Sequence, residues 1–488
     1  PVGVVADVAG LGNEGGVAHR CRPYGFGQRE GDGDSALTGA LPPQDRCQYG
    51  SGPISTRNST DLGTELDRSR RDAPMVRGRR PIGQNAAMTD ARSDPRGSRE
   101  PGPWAGLSDT QRTIVLALLR HGRLSRPEIM RIVGISPGSI TRLTAPLVDC
   151  GLLIARTERP TGMGRPQSPL EVRAEAETMI GVNLSGEALT AVLTDLHLNV
   201  LATTRRALPG HAPADAVTAL ADAATELSRS GPDAPAPSCA GVSLGGATTA
   251  GRTVADAAFL GWNQVPLAEL VEERLHAPTT VGNDLVALTL QEAWFGAGRE
   301  HDRLALLTVG AGVGLGLVVD GEVVTTPDAE LGLIGGVPVP DGGRPATSLP
   351  AMDCLTSPAI ERAWAERAQR GVRAQQGRRS RSPLPAARIV DLARRGEASA
   401  VTICSSYARR IGRLIAMAAA FTLPDVVVVA GERAEAAALF EDQVMIGVAS
   451  VRRPDAAPID IVVREHDRVG WARGAAALAL RARVQGRL

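Results

Sequence analysis

Aromatic residues are scarce in this 488-residue chain: five Trp, three Tyr and five Phe, 3% together. That excludes a core built on aromatic rings, so aliphatic side chains must fill the interior within a hydrophobic share of 43%. Cysteines are few and scattered, at Cys21, Cys47, Cys150, Cys239, Cys354 and Cys404. No two stand at Cys-x-x-Cys spacing, which argues against a zinc cluster or a disulfide framework and for reduced thiols. No run reaches about 18 uninterrupted apolar residues, the length a membrane-spanning helix needs. The start of the chain lacks the basic and apolar segments of a secretory signal. A soluble, cytoplasmic protein without membrane contact is therefore expected. Charge of one sign is also lacking: the net charge is +1. Any nucleic-acid contact must come from a local basic patch.

The length calls for two to four domains. Residues 1–103 are rich in Gly, Arg, Asp, Ser and Pro, as in "GDGDSALTGALPPQDR". Such a stretch buries too little apolar surface to offset its ordering entropy, so a disordered tail is expected. The chain opens on Pro1, and Met75 and Met88 are plausible starts.

Residues 104–172 carry helical periodicity. "SDTQRTIVLALLRHG" opens on the candidate cap Ser108, sets Ile114, Val115, Leu118 and Leu119 on one face, and stops at Gly122. "SRPEIMRIVG" is a second short helix. "SPGSITRLTAPLVDCG" is a third, with Ser136 as cap and Pro137 at the first helical position. Pro146 predicts a kink or an early end near Thr144. An apolar, then basic, then apolar stretch follows and reads as a β-hairpin with a basic tip. Three helices and a hairpin make a winged helix-turn-helix. Its third helix would enter the major groove with Ser136, Ser139, Thr141 and Arg142. Arg156, Arg159 and Arg165 of the wing would meet phosphates or a narrow minor groove. The same pattern also suits a three-helix packing module with a solvated basic loop.

From residue 179 onward, strand-like runs (179–182, 188–193, 198–202, 240–244, 304–309, 315–319, 426–430) alternate with amphipathic helices (213–229, 266–276, 285–297, 358–369, 386–394, 399–421, 470–483). That is an α/β fold. Gly310, Gly312 and Gly314 sit between two strands. A dinucleotide fingerprint would need a helix next, so the layout is a phosphate-cradling turn or a plain glycine-rich one. Asn283-Asp284 stands at a strand-to-helix junction. There an Asp can accept from a sugar hydroxyl or act as general base, and an Asn-Asp pair can equally cap the helix.

"SPGSITRLTAPLVDCGLL" followed by "GRPQSPLEV" resembles the N-terminal domain of ROK-family transcriptional regulators, the family of repressors, open reading frames and sugar kinases. Residues 179–484 resemble its sugar-kinase-like domain. The resemblance implies an actin/hexokinase-like fold of two lobes, operator DNA as partner, and a homodimer or homotetramer. It also implies a sugar or sugar-phosphate effector, with Asn283, Asp284 and Glu330 on the ligand and Asp284 in the position of the kinase base. Departures from the family pattern are specific. Its Glu-x-Gly-His motif is met by Glu330 and Gly332 but carries Leu333, and the cysteine-rich zinc stretch keeps only Cys354. Its Asp-x-Gly-Gly-Thr turn reads Asn183-Leu184-Ser185-Gly186-Glu187 here, and "VVVVAGE" places Ala430 and Glu432 around Gly431. The expectation is a regulator that is not an enzyme, with no metal or cofactor and a vestigial phosphate loop at Gly310, Gly312 and Gly314. An active ATP-dependent sugar kinase and a regulator without sugar ligand are the alternatives.

Overall fold

The computed structural model describes residues 18–21, 102–156, 168–229, 236–341, 344–374 and 384–488. All of them fall in one of two compact units, which comprises residues 1–24 and 100–488.

Within the stretch read as lacking structure, Ala18–Cys21 forms strand β1. Four residues are too short to show periodicity, and the strand exists by pairing with a sheet edge formed far downstream. Helix α1 (Asp109–His121) starts with a reciprocal cap: the Gln111 N–H donates to Ser108 Oγ, and the Ser108 N–H donates to Gln111 Oε1. Helix α2 (Arg126–Val133) ends at Gly134, whose left-handed conformation (φ 74°) makes the tight turn. Helix α3 spans Pro137–Asp149. It runs through Pro146, which corrects the expected early end near Thr144. Pro146 is exposed, so its ring meets solvent rather than a packed neighbour. Ile140 and Leu147 hold the helix to the core on the other side. The wing is strand β2 (Leu153–Ala155) antiparallel to β3 (Leu170–Val172).

The first lobe begins with β4 (Met179–Leu184), β5 (Ala188–Thr194) and β6 (Val200–Ala207), followed by helix α4 (Pro213–Arg229). Strand β7 (Cys239–Leu244) leads into the small sheet β8 (Ala247–Thr249), β9 (Thr253–Ala257) and β10 (Trp262–Val265). Helix α5 (Leu267–Leu275), strand β11 (Thr279–Asn283) and helix α6 (Asp284–Phe295) complete it. The main sheet has the order β11-β7-β4-β5-β6, with β7 parallel to β4 and β11 parallel to β7.

The second lobe holds β12 (Leu304–Val309), β13 (Val313–Val319) and β14 (Glu322–Val323). The hairpin β15 (Pro338–Asp341) and β16 (Arg344–Pro350) comes next. Helices α7 (Ala351–Cys354), α8 (Ser357–Ala374), α9 (Ala386–Arg394) and α10 (Ala398–Thr422) follow. Then come β17 (Val426–Ala430), α11 (Ala434–Leu439), α12 (Glu441–Ala449), β18 (Asp460–Arg464) and α13 (Arg468–Val484). Its sheet runs β1-β18-β17-β12-β13-β14.

Helix α13 returns to the first lobe and packs under its sheet. A Cβ on Gly181 would lie 2.1 Å from the Ala472 carbonyl oxygen, and one on Gly241 would lie 1.9 Å from that of Ala475. Glycine in the strands and alanine along the helix are what let the two backbones approach. One hydrophobic core joins Ile114, Leu118 and Leu147 of the winged helix to Leu288, Leu478 and Leu480 of the lobes.

Candidate functional site

The reading end of α3 is open to solvent: Ser136, Thr141 and Arg142 are exposed and Ser139 is half-buried. The Ser136 and Ser139 hydroxyls lie 3.1 Å apart. Arg156 is exposed but committed, since its Nε donates to Glu171 at 2.5 Å, and Arg123 holds the same carboxylate at 2.7 Å. Burial acts against the Glu171 carboxylate, but the Arg156 and Arg123 guanidiniums outweigh it and hold its pKa below the ordinary value. Arg159 and Arg165 lie outside the described residues. Sequence reasoning missed Arg126, whose Nη1 reaches the Ser168 carbonyl at 3.1 Å and so ties α2 to the base of the wing.

Two arginines lock the winged helix to the lobes. Arg112 of α1 donates to the Arg483 and Val484 carbonyls at 3.0 and 3.2 Å, at the last turn of α13. In return, Arg299 donates to the Arg120 carbonyl at the last turn of α1, at 2.8 Å. Each guanidinium meets carbonyls in the last turn of a helix, where the helix dipole favours positive charge. Beside them Glu177, buried, accepts from Trp104 Nε1 at 2.8 Å, from Arg483 at 3.0 Å and from Ser238 Oγ at 3.1 Å.

In the lobes, Asn283 caps α6. Its Oδ1 accepts from the Leu285 and Val286 N–H groups at 2.9 and 3.2 Å, and its Nδ2 donates to the Gly246 carbonyl at 2.8 Å. Its amide is thus spent on the fold. Asp284 faces the Gly245–Gly246 segment. Burial, assisted by the negative charge of Glu432 and opposed by the Leu285 N–H, pushes its carboxyl up to about 6. Glu330 accepts from the Thr248 backbone N–H at 2.5 Å and from its hydroxyl at 3.1 Å. Burial raises its pKa against those hydrogen bonds. Thr248, Asn283 and Glu330 line a cleft of about 740 Å³, with Arg481 and Arg487 on its far wall. Asp284 and the glycine turn lie outside that cleft. Leu333 is exposed.

The Gly310–Gly314 segment forms the turn between β12 and β13. Gly310, Gly312 and Gly314 all have negative or extended φ, so left-handed backbone is not the reason for glycine here. Gly314 packs against Thr308 and Leu285. Gly310 faces Glu432: a Cβ there would lie 1.7 Å from the carboxylate Oε2, which also accepts from the Ala311 N–H at 3.3 Å. In the 183–187 turn, Asn183 Nδ2 donates to Ser243 Oγ at 3.1 Å and Ser185 closes on the Ala188 carbonyl at 2.7 Å. Among the described residues, no three His, Cys, Asp or Glu side chains gather into a metal site. No described helix is long and apolar enough to cross a membrane.

Comparison with known proteins gives two family matches. Residues 179–482 match the ROK family model, and residues 107–154 match a winged helix-turn-helix DNA-binding model. A transcriptional regulator of Mycobacterium tuberculosis (strain ATCC 25618 / H37Rv) is 28% identical over 341 residues, 68% of this chain and 76% of that protein. The DNA-binding transcriptional dual regulator NagC of Escherichia coli (strain K12) is 27% identical over 334 residues, 65% and 79% of the two chains. Among solved structures, a ROK family transcriptional regulator described as a homologue of the E. coli MLC protein superposes with TM-score 0.61 at 20% identity. It covers 77% of this chain and 98% of its own. A ROK family glucokinase from Streptomyces griseus, in complex with glucose and AMPPNP, gives 0.51 at 24% identity, covering 61% and 98%. The two structures establish the fold alone.

Proposed function

The chain belongs to the ROK family, and on that premise we propose that it is a DNA-binding transcriptional regulator, a repressor of carbohydrate-related genes, acting as a homodimer or homotetramer. The observation that carries this is the solvent-open first half of α3, with Thr141 and Arg142 exposed on a helix whose other side is pinned by Ile140 and Leu147. A helix so presented can enter a major groove, where an arginine bonds bidentately to guanine. The lobes sense a sugar or sugar derivative and have given up phosphate transfer. A ligand that prefers one arrangement of the lobes shifts DNA affinity through its differential binding to the two states. Support comes from the winged helix being bonded at Arg112 to the last turn of α13, the helix that also walls the cleft.

The test is binding of the intact protein to the promoter region beside its own gene at physiological salt. Sequence-specific binding that a sugar or sugar phosphate relieves is the expected result. Absence of specific binding by folded, oligomeric protein overturns the reading. Asp284 favours a second reading, a sugar kinase with an appended DNA-binding domain. Sugar-dependent ATP consumption that Asp284→Asn abolishes would establish it.

A further inference from the structure

The turn between β12 and β13 has the chemistry of an oxyanion cradle. It joins two strands, is flanked by Gly310 and Gly312, and exposes Ala311 and Gly312 to solvent. Backbone N–H groups in such turns bind phosphates because no Cβ shields them. Here an oxyanion is already present, and it belongs to the chain. The Glu432 carboxylate lies against the Cα of Gly310, where even a methyl group would overlap it at 1.7 Å, and it accepts the Ala311 N–H at 3.3 Å.

Glu432 is held in place from behind. Gly431 adopts φ 98°, and a Cβ on it would strike the Val309 carbonyl oxygen at 2.5 Å. The Arg433 N–H donates to that same carbonyl at 3.0 Å. The segment after β17 is thus clamped to the end of β12, and the side chain between the clamps reaches the turn. The negative charge of Glu432 adds to the upward shift of Asp284 and opposes the burial-driven downward shift of His466.

We propose that Glu432 is a built-in substitute for a bound phosphate: it fills the anion site of the Gly310–Gly312 turn and makes the lobes independent of nucleotide. Its carboxylate repels an incoming phosphate and occupies the N–H group that would bind it. The turn is therefore joined to the β17 segment without ATP, and no nucleotide signal enters the regulator. This rests on the reading of the lobes as a non-phosphorylating sensor and names the residue that keeps them so.

The test uses the full chain with Mg–ATP, tripolyphosphate and inorganic phosphate as probes. Titration calorimetry and thermal shift are expected to find no binding by wild type. Glu432→Ala is expected to gain at least about tenfold in affinity for tripolyphosphate and Mg–ATP, with stabilisation of several degrees. Glu432→Gln removes the charge but keeps the volume, and is expected to gain less. Wild type that binds as tightly as Glu432→Ala overturns the inference. So does a Glu432→Ala protein that keeps the wild-type circular dichroism and operator affinity yet binds no probe. Should the alanine variant not fold, Glu432→Gln decides: a gain over wild type supports the inference and parity overturns it. Sugar-dependent ATP turnover by wild type would instead sink the sensor reading, so the two failures are distinct.

Discussion

At Asp284, burial tightens the hold of the folded chain on a single proton. Burial pushes its carboxyl from 3.8 to about 6, so the folded chain holds this proton more tightly than the unfolded chain does. Its contribution to stability is complete below pH 3.8 and is lost as pH rises through about 6. The loss is on the order of 3 kcal/mol. Asp284→Asn is expected to remove it, so the variant should gain on wild type between pH 4 and pH 7 in urea unfolding. A constant difference would place the carboxyl in a wetter setting. On the proposed function, base reading rests on the exposed Arg142. Arg142→Ala is expected to lose about 1–3 kcal/mol of discrimination against altered operators in competition binding, while non-specific affinity changes little. The site residues differed in how legible they were. Asn283 as a cap follows from its place before an apolar helix, which is a local signal. The contact of Glu432 with Gly310 joins segments 122 positions apart that follow β17 and β12, and no local pattern carries it.

Helices were the most legible elements. Pro213–Arg229 and Ala386–Arg394 have the same bounds in the sequence pattern and in the structure. Their apolar stripes are long enough to define a period. Strands β8, β9, β10 and β18 escaped notice because they are only three to five residues long. Helices α11 and α12 escaped too: α11 is one and a half turns, and its alanines leave little contrast between faces. Helix α3 shows where local chemistry yields to packing. Pro146 cannot donate to the Arg142 carbonyl, yet buried Thr144 and Leu147 carry the helix past it. Pro146→Ala is expected to restore that hydrogen bond and raise stability by up to about 3 kcal/mol without altering operator preference. Chemical unfolding and competition binding check the two halves. In the first lobe, Gly241→Val should cost more than about 3 kcal/mol, because its added carbons meet the backbone of α13.

Over the whole molecule, the winged helix and the lobes share one core, and each caps a helix of the other through Arg112 and Arg299. Reciprocal capping makes the orientation of α3 depend on the last turn of α13. Arg112→Ala is expected to cost about 1–3 kcal/mol, leaving two partly buried carbonyls without their charged donor. It should also split the single calorimetric transition in two and weaken the effect of any effector on operator binding. Retention of one transition and of full effector response would show that the shared core alone carries the coupling. The placement of α13 also bears on synthesis. Strand β4 emerges from the ribosome almost 300 residues before Ala472 and Ala476, the residues that cover its Gly181. Until then one face of the first sheet has no cover, and Arg112 has no carbonyls to hold. A nascent chain therefore carries finished DNA-reading helices with no means of orienting them. Only the arrival of the final helix turns a bound segment into a regulated one, so truncations ahead of residue 468 should yield aggregation or unregulated DNA binding rather than a weaker sensor.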